Sequence, residues 1–120
     1  MPEKTLLAKL LLKPGVKLAI VNAPKDHEPP AGATLVSRGS ADVVFLYARD
    51  QAQLEGSWEK ARARLAADGR LWIAYPKSKQ LGSDLSRDIL AQLMQRKKFD
   101  TVRQIAIDDT WSALWFKPIE

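Results

Sequence analysis

The chain contains no cysteine, so disulfides, thiol nucleophiles and thiolate zinc sites are excluded. It has a single histidine, His27, which leaves too few imidazoles for a histidine-based metal centre. Long hydrophobic runs are also lacking, and none approaches the length of a bilayer span. The N-terminal MPEKTLLAKLLLKPG carries a short apolar stretch broken by Lys9 and offers no small-residue cleavage site, so it reads as a helix rather than a signal peptide. These absences lead us to expect a cytoplasmic protein that binds no metal and no membrane.

What is present is ordinary globular material. The 120 residues are 46% hydrophobic and 28% charged, enough for one domain, 1–120, with its own core. The formal net charge is +5, which permits phosphate partners. The tightest basic clusters are Arg62 with Arg64 and Arg96-Lys97-Lys98. Both fall where helices should end and where cations complement the macrodipole, so each is read singly as a solvated helix terminus. On that reading nucleic acid is not an expected partner.

Leu6, Leu7, Leu10 and Leu11 recur at helical spacing over residues 3–12, and Pro14-Gly15 ends that helix. Val16 to Val21 is a nearly continuous apolar run of strand length, as a strand covered on both faces requires. Asn22 to Ala33 holds three prolines and reads as a loop. A short strand over 33–36 and a buried strand over 41–48 follow. Asp50 predicts a helix cap with Gln53 as its capping-box partner, and Leu54, Trp58, Ala61 and Leu65 give the helix one apolar face.

Asp68-Gly69 predicts a turn, Leu71 to Tyr75 a third buried strand, and Ser83 the cap of a helix lined by Leu85, Ile89, Leu93 and Met94. Thr101 to Ile107 and Trp111 to Phe116 predict a hairpin. The fold class is therefore α/β: a Rossmann-like, mostly parallel sheet flanked by helices and ending in an antiparallel β-hairpin. Trp58 and Trp72 are expected in the core. Trp111 and Trp115, four apart on one strand, face the same side and either cover the sheet or form a homodimer surface, the first being favoured.

The stretch ADVVFLYARDQAQLEGSWEKARARLAADGRLWIAYPK (41–77) and the final hairpin resemble the second half of class I S-adenosylmethionine-dependent methyltransferases. More narrowly, GRLWIAYPK (69–77), SDLSRD (83–88) and AIDDTWSALWF (106–116) resemble a small bacterial family known only as a domain of unknown function. The methyltransferase resemblance implies a glycine-rich turn after the first strand, a helix before the second, and a carboxylate at the second strand's end. Here those places hold Asn22-Ala23-Pro24-Lys25, a proline-rich loop, and Ser37 with Arg38. The three departures argue against methyl transfer, and no cofactor is expected.

In open α/β sheets ligands bind beyond the carboxyl ends of the strands. The segment Tyr75 to Ser83 meets that edge, and Lys77, Ser78, Lys79 and Ser83 form the candidate anion site, with a small anionic ligand as partner. Asn22, Lys25, Asp108 and Asp109 are secondary candidates. The aspartate pair also suits a turn, where each carboxylate bonds its own backbone. No residue is singled out as catalytic, and neither a nucleophile elbow, a Walker loop nor a dinucleotide fingerprint is present. The reading is a non-catalytic binding or regulatory module on a degenerate methyltransferase-like scaffold. The alternative is a small enzyme acting on a phosphorylated or nucleotide-like substrate.

Overall fold

The computed structural model describes residues 15–22, 34–36, 39–77, 82–107 and 110–119, with Ala67 and Asp68 described by their backbone only. The expected N-terminal helix over 3–12 lies outside the described residues. The elements run β1 (Lys17–Val21), β2 (Thr34–Leu35), β3 (Ala41–Tyr47), α1 (Gln51–Ala63), β4 (Leu65–Pro76), α2 (Arg87–Arg96), β5 (Phe99–Ala106) and β6 (Trp111–Pro118). They build a six-stranded sheet in the order β2-β1-β3-β4-β6-β5. The β2–β1, β1–β3 and β3–β4 pairs are parallel, and β6 runs antiparallel to both β4 and β5.

β1, β3, β6 and the second half of β4 are largely apolar on both faces because both faces are buried, and alternation sorts their side chains, whereas β2 and much of β5 are exposed. Ala19, Val21, Val44, Leu46, Leu71, Ile73, Leu114 and Phe116 share one core with the helices, which contribute Leu54, Trp58, Ala61, Leu90 and Met94. Each fully buried side chain of this kind contributes roughly 1.5–3 kcal/mol of transfer free energy. Trp58 meets Phe99 edge-on at 5.3 Å and so fastens α1 to β5.

The opposite face carries Leu18, Val43, Phe45, Tyr47, Trp72, Trp111 and, half-buried, Trp115. Its rings form three contacts, Phe45–Tyr47 at 5.0 Å, Tyr47–Trp111 at 5.3 Å and Trp72–Trp115 at 6.0 Å. Trp111 and Trp115 do face one side, and Trp72 and Trp58 are buried as expected.

Four local readings are corrected. Leu65, expected on the apolar face of α1, lies past the end of that helix and opens β4. Asp68-Gly69 is not a turn between elements but part of an excursion within β4. Ala41 pairs with Leu65 while Val43 pairs with Arg70, so residues 66–69 bulge out between two fixed points of the ladder. A side chain at Gly69 would meet the Leu65 Cδ1 at 2.8 Å and the Ala66 carbonyl at 2.9 Å, which explains the glycine there.

Ser83 does not cap α2. The helix starts at Arg87, and Ser86 is its cap, accepting from the Ile89 amide at 3.3 Å. Leu85 is fully buried ahead of the helix rather than on it.

The capping box at α1 is displaced by one residue. Asp50 accepts from the Gln53 amide at 2.8 Å as expected, but the Gln53 Oε1 accepts from the Arg49 amide at 2.6 Å, not from Asp50. No helix of the described residues is long and apolar enough to cross a membrane.

The crossing from β2 to β3 is held by Arg64, the C-cap of α1. Its guanidinium donates to the Val36 carbonyl at 2.7 Å and the Gly39 carbonyl at 3.1 Å, and its own carbonyl accepts from the Ala41 amide at 2.7 Å.

Candidate functional site

The carboxyl ends of β1, β3 and β4 bring Asn22, the Ala48–Gln51 segment and Lys77 to one edge of the sheet. Asn22 closes β1 in the left-handed region, at φ 62°, a conformation that asparagine tolerates far better than branched residues. Its Nδ2 donates to the Ser57 Oγ on α1 at 2.6 Å. The strand therefore makes the left-handed turn expected of a glycine, while an amide side chain tied to α1 stands beside it.

The start of α1 is satisfied by the chain itself. The Gln51 amide donates to the Asp84 Oδ1 at 2.8 Å, and the Gln51 Nε2 donates to the Asp84 carbonyl at 3.2 Å. With Asp50 on the Gln53 amide, carboxylates cover two of the helix's free donors. Ser83 is 6% exposed and its Oγ accepts from the Leu85 amide at 3.0 Å, a turn that presents Asp84 to α1. Gly82, at φ 69°, makes the preceding reversal.

Lys77 leaves β4 half-buried, and its amide donates to the Thr110 carbonyl at 2.8 Å, tying the edge to the start of β6. The structure thus places Asn22, Lys77 and Ser83 on the expected edge, but the Ser83 hydroxyl is directed into its own turn. Ser78, Lys79, Lys25, Asp108, Asp109 and His27 lie outside the described residues.

Tyr75, near the carboxyl end of β4, is a buried titratable group at this edge. Burial raises its phenol pKa above the ordinary value. Arg87 and a hydrogen bond from Ser112 oppose the rise, and Asp88 adds to it. The Gln104 Nε2 donates to its Oη at 3.1 Å. The phenol thereby links β4, β5 and β6 beneath the first turn of α2. Among the described residues no group of three or more His, Asp or Glu side chains is placed to hold a metal ion.

Sequence reasoning missed Asp84 as a cap, Ser57 as the partner of Asn22, and the Tyr75–Gln104 pair. Each joins residues far apart in the chain, and only the Asp84 carboxylate close to a helix start gave any signal.

The strand order, the antiparallel β6 inserted beside β4 and the two helices on one face define a methyltransferase-like α/β fold. A SAM-dependent methyltransferase from Geobacter sulfurreducens in complex with S-adenosyl-L-homocysteine is similar, with a TM-score of 0.65 and 13% identity over 94% of this chain and 88% of that one. The glycopeptide N-methyltransferase MtfA gives 0.63 and 12% over 93% and 87%. DhpI in complex with SAH gives 0.52 and 10% over 74% of this chain, which spans just over half, 56%, of DhpI. No protein-family model matches the chain, and neither does any curated protein sequence.

Proposed function

We propose that this chain is a non-catalytic binding or regulatory module on a methyltransferase-like scaffold, with its ligand-binding edge at the carboxyl ends of β1, β3 and β4. The observation that carries the reading is the Asp84 carboxylate on the Gln51 amide, beside Asp50 on the Gln53 amide. In this fold a helix start at that edge is a natural place for an anionic or polar ligand group. Here the chain's own carboxylates take it, and at the end of β1 an asparagine bonded to Ser57 stands where backbone would approach a cofactor.

A small anion remains the ligand class that fits best, held by Lys77 with Ser78 and Lys79, because Lys77 directly follows a central buried strand at that edge. Two measurements test the reading. Calorimetry with S-adenosylmethionine and S-adenosylhomocysteine should show no binding in the low micromolar range, and thermal shifts with phosphate or sulfate should fall away in a Lys77→Ala, Lys79→Ala double variant. A ligand at ~100 times its Kd adds roughly 2.7 kcal/mol of stability, which such a shift resolves. Micromolar affinity for the methyl donor overturns the proposal. Turnover of a phosphorylated or nucleotide-like compound supports the alternative, a small enzyme using the same edge.

A further inference from the structure

The two basic clusters that the sequence presents as separate helix endings meet in space. α1 and α2 both run back from the carboxyl edge of the sheet, so both end at the opposite edge, where β4 and β5 begin and β6 finishes. Lys97 bonds Glu55 of α1 at 2.9 Å and lies 5.7 Å from the Trp58 ring, which places the end of α2 against α1. Beside this junction is an open cavity of about 340 Å³ lined by Glu59, Arg62, Ala63, Leu65 and Phe99.

The charge there is unbalanced. Arg64 and Lys97 have hydrogen-bond partners, but the side chains of Lys60, Arg62, Arg96 and Lys98 have none among the described residues. Lys60 and Arg62 stand in the last turn of α1, Arg96 in the last turn of α2 and Lys98 just past its end, and Arg62 also lines the hollow. Among the described carboxylates at this end, Glu59 is on the cavity wall, Glu55 is already engaged by Lys97, and Asp100, next to Phe99, accepts from the Gln95 Nε2 and the Thr101 amide.

We propose that this edge binds single-stranded nucleic acid, with phosphates on the cations of the two helix ends and one base entering the cavity against Leu65, Ala63 and Phe99. The shape of the apolar part selects this partner over an anionic membrane. A bilayer surface is flat and is entered by protruding apolar side chains. Here the apolar groups line a hollow, and Phe99 is only 5% exposed. A flexible strand can swing a base into such a hollow while its backbone follows the surrounding cations. The site lies at the opposite edge of the sheet from the anion site proposed above, so the two stand or fall separately.

The test is fluorescence anisotropy of the full chain with a labelled oligouridine of about 20 nucleotides. Four cations meeting phosphates of a single strand predict that log K falls with log salt at a slope of about −3. An Arg62→Glu, Lys98→Glu pair should weaken binding at least about tenfold, and the neutral Arg62→Gln, Lys98→Gln pair by a smaller factor. The charge-matched Arg87→Glu, Arg103→Glu pair, away from this edge, should stay within about twofold. An abasic strand of equal length should bind several-fold more weakly. Melting curves of all variants confirm that they fold, and the neutral pair keeps the test open if the reversed pair does not. Equal losses in the two reversed pairs, equal affinity for the abasic strand, tighter binding to phosphatidylglycerol vesicles than to the oligonucleotide, or no binding at low salt each overturn the proposal.

Discussion

The Asp84 Oδ1 accepts the Gln51 amide at 2.8 Å, so the segment that precedes α2 caps the start of α1. One carboxylate thus couples the two helix entrances at the carboxyl edge of the sheet, across a gap of 33 positions in the chain. A carboxylate at a helix start satisfies a free donor and sits at the favourable end of the dipole. Asp84→Ala should lower unfolding free energy by about 1 kcal/mol, the usual size of a lost cap. Asp84→Asn, which still offers a carbonyl oxygen, should lose less. Urea denaturation of both variants checks the order, and equal losses would show that the hydrogen bond contributes little.

Trp72 is fully buried, yet its indole Nε1–H has no hydrogen-bond partner among the described residues. Its ring lies 6.0 Å from Trp115, and the Arg70 guanidinium stands over Trp115 at 4.0 Å. Trp72→Ala should cost ~3–5 kcal/mol, as large-to-small core substitutions of this size do. Trp72→Phe should cost under half of that, because it keeps an aromatic body and deletes a donor that was desolvated without compensation. Trp58→Ala should also fall in the ~3–5 kcal/mol range, since it opens the α1–β5 contact with Phe99. Chemical denaturation reads all three.

Much of the fold is legible in the sequence because alternation and capping are local. Val43 to Tyr47 and Leu71 to Tyr75 are apolar on both faces, and they are the central strands. Asp50 caps α1 because cap and first turn are sequence neighbours. What was not legible depends on partners in space. Ser83 and Ser86 are equally good caps by type, and the burial of Leu85 between them decides for Ser86. Asp68-Gly69 has turn chemistry, but the pairing of Leu65 with Ala41 keeps that stretch within β4. Asn22 replaces an expected glycine, yet it takes the left-handed conformation that a glycine would have supplied. The candidate site was legible as an edge, through Tyr75-Pro76-Lys77, but not as a set of contacts: Asp84, Ser57 and Gln104 reach it from elsewhere in the chain.

Asn22 makes a prediction about backbone strain. At φ 62° a β-branched residue is strongly disfavoured, so Asn22→Val should destabilise by about 1–3 kcal/mol. Asn22→Gly should stay within about 1 kcal/mol of the parent, because relief at the left-handed position offsets loss of the Ser57 bond. Thermal melts of the two variants separate these effects. A Val variant as stable as the Gly variant would show that the turn readjusts without strain.

Tyr75 predicts how stability changes at alkaline pH. Burial raises its phenol pKa in the folded chain above the ordinary value of 10, with Arg87 and Ser112 opposing and Asp88 reinforcing the rise. The unfolded chain therefore releases this proton at lower pH than the folded one. Below the unfolded value both states keep the proton, and the contribution of the buried neutral phenol is fully present. As pH climbs through the window between the unfolded and folded values, ionisation favours the unfolded chain and the contribution is lost. Tyr75→Phe removes this ionisation and also deletes the hydrogen bonds of the phenol with the Gln104 Nε2 and with Ser112. The variant should be less stable than the parent near neutral pH, by about 1–3 kcal/mol for two lost hydrogen bonds. The difference should narrow as pH rises above 10, because only the parent has a phenol to ionise at this position. Paired denaturation curves between neutral and alkaline pH measure it. A gap that stays constant or widens above pH 10 would mean that the folded chain accommodates the phenolate, and that Arg87 rather than burial governs this group.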